Sequence, residues 1–384
     1  MLPCSDYDKK DLSAWSDYFA TVSSPPKEWV PVALDSHPSD NGDDPCCTTF
    51  VFTSDPRKLG TGIYLYIVYA KEPMADGASL LTLPASTTLP LDNAGRHTLV
   101  GQLGLDQTAF VQVYLWRDGD GEVVQGWFQT YATFGERLGL RVPPSTLPVV
   151  RFEALDRTHH YGPRLSLVKV DGTAYVFKLA NYYLLQELVT MAALPPSTHC
   201  IRPEFSVEDE HGFWCGMLVP FQGLSSVGEF LQTLPPADAP QFEFPWALKL
   251  AWAIDIAAAL AWLHQHIRAW GDLKPDNVVV CRDGRCRLID YGPTHFITQR
   301  FTAPESIANI EAGARSPAED VYALGMTLWT VATGQPPPPS ALVWPEDIRV
   351  PSAYRRLVED CVEEAADARP TADGVVLQLS AMCY

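Results

Sequence analysis

The stretch Trp270-Gly271-Asp272-Leu273-Lys274-Pro275-Asp276-Asn277-Val278-Val279-Val280, with Asp290 thirteen residues after Asn277, constrains this chain more than any other part of it. Upstream, Leu248, Leu250, Ala251, Ile254, Ala258 and Leu260 recur near a 3.6-residue period, which predicts a long helix from Ala247 to His266. A loop follows with an acid, a lysine two residues on and an amide three further. The Asp283-Gly284 pair then predicts a turn joining strands Val278 to Cys281 and Cys286 to Ile289, which brings Asp290 to a strand end near Asn277. One carboxylate and one amide oxygen converge there as magnesium ligands beside phosphate oxygens, and Asp272 stays close by to accept a proton.

At 384 residues the chain has room for two domains, and with 47% apolar and 19% charged residues it reads as globular throughout. Its 28 Lys and Arg against 46 Asp and Glu leave a net charge of −18, a field that repels phosphate backbones and anionic headgroups, so no nucleic acid and no membrane partner is expected. The first ten residues show no basic leader ahead of an apolar run, which points to an intracellular protein, cytoplasmic or nuclear. Ile254 to Leu263 carries Asp255 and is about half the length of a membrane span, so no transmembrane helix is expected. The nine cysteines lack paired metal-ligand spacing and are expected to be reduced thiols.

Residues 1–45, with Ser23-Ser24-Pro25-Pro26 and Asp40-Asn41-Gly42-Asp43-Asp44, have few apolar side chains and are expected to be a mobile lead-in with one short helix near Leu12 to Phe19. From 46 to 146 short runs rich in β-branched and aromatic residues predict a small antiparallel β-domain of unknown role, with strands that include Ile63 to Tyr69, Thr98 to Leu103 and Ala109 to Trp116. Acids at 118, 120 and 122 have the spacing of a calcium loop, but the flanking strands and Asp-Gly pairs favour a hairpin turn. Pro143 to Pro148 reads as a linker. Beyond it come strands at Val149 to Phe152, Leu165 to Val170, Ala174 to Leu179 and Phe213 to Val219, with a helix at Tyr183 to Leu194 and a helical remainder after Pro235. Pro336 to Pro339 reads as a loop between helices.

Asp272-Leu273-Lys274-Pro275-Asp276-Asn277 resembles the catalytic loop of the eukaryotic protein kinases, and Asp290-Tyr291-Gly292 resembles their metal-binding triplet. Thr302-Ala303-Pro304-Glu305 is similar to the end of an activation segment, Asp320 to Gly325 to the central helix of the large lobe, and Arg369 to the arginine that pairs with Glu305. Upstream, Tyr175-Val176-Phe177-Lys178 resembles the third-strand lysine motif, with Glu187 as the candidate helix partner only nine residues on. Val219 resembles the gatekeeper. Because Pro220 has no N–H, Gln222 would supply the backbone donor to adenine. The resemblance covers 150–384 and implies an α+β, bilobal protein-kinase fold, with a small β-rich lobe at about 150–222 and a large helical lobe at about 223–384. It implies ATP and Mg as cofactors and a protein substrate. Lys178 would hold the α and β phosphates, Glu187 would hold Lys178, Asn277 and Asp290 would bind magnesium, Asp272 would be the catalytic base and Lys274 the stabiliser of the transferred phosphoryl group. Leu-Lys-Pro-Asp-Asn is the pattern of the Ser/Thr enzymes, and the Tyr175-Val176-Phe177-Lys178 strand with its short helix resembles fungal kinase-like proteins.

The departures are specific. Tyr161-Gly162-Pro163-Arg164-Leu165-Ser166 offers a single glycine where a phosphate-covering loop is expected, which leaves Gly162 the one flexible point of that loop. Trp270-Gly271 replaces the family's His-Arg, a non-RD arrangement, so activation by segment phosphorylation is not expected. Trp270, Tyr291 and Met191 are expected to fill the hydrophobic spine. Three readings result: an active Ser/Thr-type protein kinase, a pseudokinase serving as a binding or scaffolding module, and phosphoryl transfer to a small molecule. The joint presence of Lys178, Asp272, Asn277 and Asp290 favours activity, and Glu305 with Arg369 favours a protein over a small-molecule acceptor.

Overall fold

The computed structural model describes residues 30–37, 46–53, 63–69, 79–84, 86–87, 89, 91, 93–104, 109–117, 124–133, 135–136, 139–141, 147–162, 165–180, 182–233, 245–291, 298–308, 315–338 and 342–383. They belong to two compact units, Met1–Leu185 with Glu204–Phe221, and Gln186–Pro203 with Gln222–Tyr384.

The first unit holds two six-stranded sheets. Strands β1 (Val30–His37), β2 (Cys46–Thr53), β3 (Ile63–Tyr69), β4 (Ser79–Leu83), β5 (Ala109–Arg117) and β6 (Val124–Tyr131) form the first, in the order β1-β2-β3-β5-β6-β4, with helix α1 (Asn93–Leu103) between β4 and β5. Two expectations are corrected here. The sheet begins within the stretch assigned to a mobile lead-in: β1 pairs with β2 from Val30–Thr53 to His37–Cys47, and the ladder orders a segment whose composition alone does not. The sheet is also mixed, because β3 and β5 run parallel, and a parallel pair requires a crossover. Part of that crossover is α1, where Thr98 to Leu103 was expected to be a strand. Its Leu99 and Leu103, four residues apart, are buried with Leu65, Ile67, Val111, Val113 and Leu115 of the sheet, a helical spacing meeting two strand spacings. The Leu12 to Phe19 helix and the acidic turn at 118–122 lie outside the described residues.

The second sheet comprises β7 (Val149–Arg151), β8 (Asp156–Gly162), β9 (Leu165–Val170), β10 (Thr173–Leu179), β11 (Phe205–Glu208) and β12 (Trp214–Pro220), in the order β7-β11-β12-β10-β9-β8. The chain leading into it is clipped to the turn between β11 and β12. Thr133 donates its hydroxyl to Asp209, a fully buried carboxylate that also accepts from the N–H groups of His211 and Phe213, both at 2.9 Å. Trp214 N donates to Leu140 O at 2.8 Å, and the Arg141 guanidinium lies 4.1 Å from the Phe213 ring centroid. Helix α2 (Tyr182–Ala193) follows β10 in the chain.

The second unit is mainly helical: α3 (Val227–Thr233), α4 (Trp246–His266), α5 (Pro304–Ala308), α6 (Pro317–Thr333), α7 (Ser352–Cys361) and α8 (Ala372–Ala381) accompany a small sheet of β13 (Gly223–Ser226), β14 (Val278–Cys281) and β15 (Cys286–Leu288). By length and composition α4 could cross a membrane, more than the sequence expectation allowed, but it is the core helix of this unit. Trp252, Ala253, Ile256, Ala257, Leu260 and Leu263 are buried on it. Asp255, 3% exposed, takes both nitrogens of an Arg285 fork and the Cys286 N–H, so the one charge in its middle is paired inside protein. Asp283 and Gly284 turn β14 into β15 as the sequence predicts.

Candidate active site

Helix α4 delivers the chain into the loop from Ile267 to Lys274, and a short 3-10 turn at Pro275–Asn277 passes it to β14. The loop is irregular, so its backbone N–H groups need partners from elsewhere. Asp320, in the first turn of α6 and fully buried, supplies them: its carboxylate accepts from Trp270 N at 2.7 Å, Gly271 N at 2.6 Å and the His264 ring at 2.9 Å. A carboxylate is favoured near a helix N-terminus, and the Ser316–Glu319 capping box fixes where that terminus lies. The sequence placed Asp320 on the central helix without giving it this task. The available signal was a second acid, after Glu319, immediately ahead of the apolar run that begins at Val321.

Asp272 therefore leaves a loop whose two preceding peptides are pinned. Lys274 Nζ lies 2.8 and 2.9 Å from its two carboxylate oxygens. Asn277 Nδ2 donates to the Asp272 carboxylate at 2.9 Å and to its main-chain oxygen at 2.8 Å. Thr298 Oγ1 is 3.1 Å from both Asp272 Oδ1 and Lys274 Nζ. None of the sequence motifs assigns Thr298 to this cluster. Its proximity comes from the return of the chain after Tyr291, which no local spacing shows.

Asn277 and Asp290 are joined through the backbone, since Ile289 N donates to Asn277 O at 3.0 Å. Asp290 itself takes the left-handed conformation, with φ of 56°, and its carbonyl accepts from Trp270 Nε1 at 3.0 Å. That indole bond fixes the backbone at Asp290 to the loop that carries Asp272. Trp270, Tyr291 and Met191 are each 1% exposed. Burial pushes the Tyr291 phenol well above its ordinary value, Cys200 and Glu187 reinforce the shift, and Arg202 opposes it.

Glu305 and Arg369 meet as expected. Their two-pronged pair has distances of 2.6 and 2.9 Å, and Arg369 also donates to Ala318 O, Glu363 O and Glu364 O while lying over the Tyr322 ring. Burial raises the Glu305 carboxyl, but the Arg369 hydrogen bond and charge, with a backbone bond, leave it below its usual value.

The remaining candidates are distributed over the two units. In the first, Lys178 is on the central strand β10, opposite Met217 of β12 and Leu165 of β9. Val219, 8% exposed, faces Val176 across the same ladder, and Gly162 ends β8 opposite Leu165. Sequence reasoning passed over Gly216, where a Cβ would stand 2.2 Å from Lys178 O; only a residue without a side chain lets β12 approach the lysine's backbone this closely. In the second unit, Glu187 lies on α2, and Gln222 precedes β13 with its carbonyl accepting from Arg282 N at 3.3 Å.

Among the described residues no group of three or more His, Cys, Asp or Glu side chains could hold a metal ion, and the pair that the sequence motif singles out is the amide of Asn277 with the carboxylate of Asp290. Both are hard oxygen donors of the kind a magnesium ion takes.

Comparison with known proteins gives this arrangement its family. Residues 240–378 match the model of the protein kinase domain. Protein kinase C epsilon type of Oryctolagus cuniculus is 34% identical over 98 residues, which are 22% of this chain and 13% of that protein. Serine/threonine-protein kinase PknB of Mycolicibacterium smegmatis is 30% identical over 142 residues, 32% of this chain and 21% of its own. Serine/threonine-protein kinase GRIK1 of Arabidopsis thaliana is 35% identical over 95 residues, 22% of this chain and 24% of its own. The chain thus spans less than a quarter of the length of each of these relatives. The loop geometry around Asp272 and the Glu305–Arg369 pair both lie inside the matched region, so it is the protein kinase domain that this part of the chain resembles in sequence and in side-chain arrangement.

Proposed function

We propose that the chain is a protein kinase that transfers the γ-phosphoryl group of ATP, with magnesium, to Ser or Thr hydroxyls of a protein. The observation that carries this reading is the Asp272 cluster: a carboxylate oriented by Asn277 and Lys274 on a loop anchored by Asp320. Asp272 orients the acceptor hydroxyl and takes its proton as that oxygen bonds to the γ-phosphorus and the bond to the β–γ bridging oxygen breaks. Lys274, already beside Asp272, offsets the charge that builds on the transferring group. Lys178 would hold the α and β phosphates with Glu187 as its partner, Gly162 would belong to the loop that covers them, and Val219 and Gln222 would serve the adenine side. Asn277 and Asp290 would hold magnesium, which neutralises phosphate charge when bound. In this reading the small lobe runs from about 150 to 222 and the large lobe from 223, with the protein acting inside the cell, where ATP and reduced thiols prevail.

A second reading, a pseudokinase that binds or scaffolds, is favoured by the lone glycine of Tyr161-Gly162-Pro163, by Trp270-Gly271 in place of the family's His-Arg and by the short segment from Asp290 to Glu305. The test is magnesium-dependent transfer of labelled γ-phosphate to the chain itself and to mixed basic and acidic peptides, with Asp272→Ala and Asp290→Ala as controls. Label that vanishes in both variants supports the kinase. No transfer from the wild type, together with a melting temperature unmoved by ATP and magnesium, would leave the scaffold.

A further inference from the structure

Gly271 precedes the proposed base and stands where a side chain would be expected to help hold the loop. Its φ is 90°, a conformation that disfavours any other residue. A Cβ built there would come 3.1 Å from Arg315 Cγ, 3.1 Å from Arg315 Nε and 3.3 Å from Arg315 Cδ. The stem of Arg315 thus lies across the face of the loop from which a side chain at 271 would emerge.

Arg315 is itself held in place. Its Nη1 is 3.4 Å from Glu319 Oε2, and its side chain is only 20% exposed. Glu319 also accepts from the Ser316 N–H at 3.1 Å and from the Ser306 hydroxyl. The Arg315 guanidinium therefore rests on a carboxylate fixed from the cap of α6 and from α5. The next residue, Asp320, grips the N–H groups of Trp270 and Gly271. Two consecutive acids of one helix turn hold one loop, Asp320 through its backbone donors and Glu319 through Arg315 against the glycine face.

We propose that Arg315 is a positioning residue for Asp272: packed over Gly271, it does from outside the catalytic loop what a side chain at 271 would do from within. Its stem lies against the face of Gly271 and so restricts how far the Gly271–Asp272 peptide can turn toward it. Glu319 and Ser306 provide its counter-charge and support, so this hold needs no phosphate on the segment between Asp290 and Glu305. The proposal rests on Asp272 being the base, and its test is designed to separate the two.

The full chain is compared with Arg315→Ala and Arg315→Lys, each with and without Gly271→Ala. Amide exchange at residues 270–272 is read without ATP or substrate, and kcat and KM for ATP are read in the transfer assay. Arg315→Ala is expected to speed exchange at these amides about tenfold while leaving the helix α4 core unaffected. Loss of alignment should lower kcat roughly ten- to a hundredfold, with KM for ATP changed by no more than about twofold. Arg315→Lys keeps the stem and is expected to restore most of both. Because the added methyl meets Arg315, Gly271→Ala should be less harmful in the Arg315→Ala background than alone. Unchanged exchange in Arg315→Ala, a lysine variant as impaired as the alanine one, or equal cost of Gly271→Ala in both backgrounds would overturn the proposal. A wild type that transfers nothing would sink the kinase reading alone; faster exchange and non-additive melting in the variants would still support the Arg315–Gly271 contact.

Discussion

Replacing Asp320 by Asn tests the idea that one buried carboxylate organises the catalytic loop. The side chain keeps its size, so packing in the α6 core is conserved and the change is one of hydrogen-bond logic. Asp320 accepts three bonds, from Trp270 N, Gly271 N and His264 Nε2, with no exposed surface. An amide has one acceptor oxygen. Turned toward Gly271, it sets its NH2 against the Trp270 N–H; turned toward Trp270, it does the same to Gly271. One backbone donor is orphaned either way, in a place where Trp270 is 1% exposed. Losing a charged acceptor costs about 1.5–3 kcal/mol and leaving a buried donor unpaired about 1–3 kcal/mol, so the expected destabilisation is roughly 3–5 kcal/mol. Denaturant unfolding followed by far-UV ellipticity reads the helical unit directly, and the midpoint should fall without a change in slope. Phosphoryl transfer should fall further than the folded fraction explains, because the surviving molecules carry a loop held by one bond fewer. A variant within about 0.5 kcal/mol of wild type, the range of ordinary surface substitutions, would refute the assignment of Asp320 as the loop's anchor.

Three other outcomes follow from the same structure. Glu305 lies below its ordinary carboxyl value, so its contribution to stability is complete above the unfolded value of 4.5 and is lost as pH falls through the lower folded one; Glu305→Gln should flatten that acid limb in pH-dependent melting. Gly216→Ala places a methyl carbon 2.2 Å from Lys178 O and should lower stability by about 3 kcal/mol, with ATP-dependent stabilisation lost as β10 is pushed aside; a fully folded variant with normal nucleotide response would contradict the β10–β12 geometry. Cys383 is exposed, whereas burial pushes Cys200 and Cys361 up to about 12, so native alkylation near neutral pH followed by peptide mapping should modify Cys383 and spare those two.

The chemistry was legible in the sequence where it is written in consecutive residues. Asp272, Lys274 and Asn277 lie within one turn of chain, so their types and spacing nearly dictate their meeting, and the Asp283-Gly284 hairpin carries Asp290 back to Asn277. What the sequence hid is set by distant partners. Asp320 reaches residues 49 and 50 positions away, and Thr298 reaches back 26 to Asp272. Short strands were missed for the same reason: β11 has four residues and gains its identity from β7 and β12 on either side. In the first sheet, Thr98 to Leu103 has the composition of a strand, yet Leu99 and Leu103 are placed for a helix, and burial against β3 and β5 decides between the two.

These long-range contacts bear on the choice between enzyme and scaffold. A pocket used only for binding needs shape, and any acceptors that satisfied the Trp270 and Gly271 N–H groups would serve it, wherever they left the Asp272 side chain. What Asp320 and its neighbours add is direction: the donors it grips are the two peptides before Asp272, and Lys274 and Asn277 converge on that same carboxylate. Directional control of a carboxylate matters to proton transfer far more than to affinity. In the proposed reading the thin Gly162 loop would weaken a different function, the covering of phosphates, and would act on nucleotide affinity and rate without touching the base. A sparse phosphate loop and a tightly held Asp272 are thus compatible in one molecule, and together they fit the proposed kinase better than the scaffold.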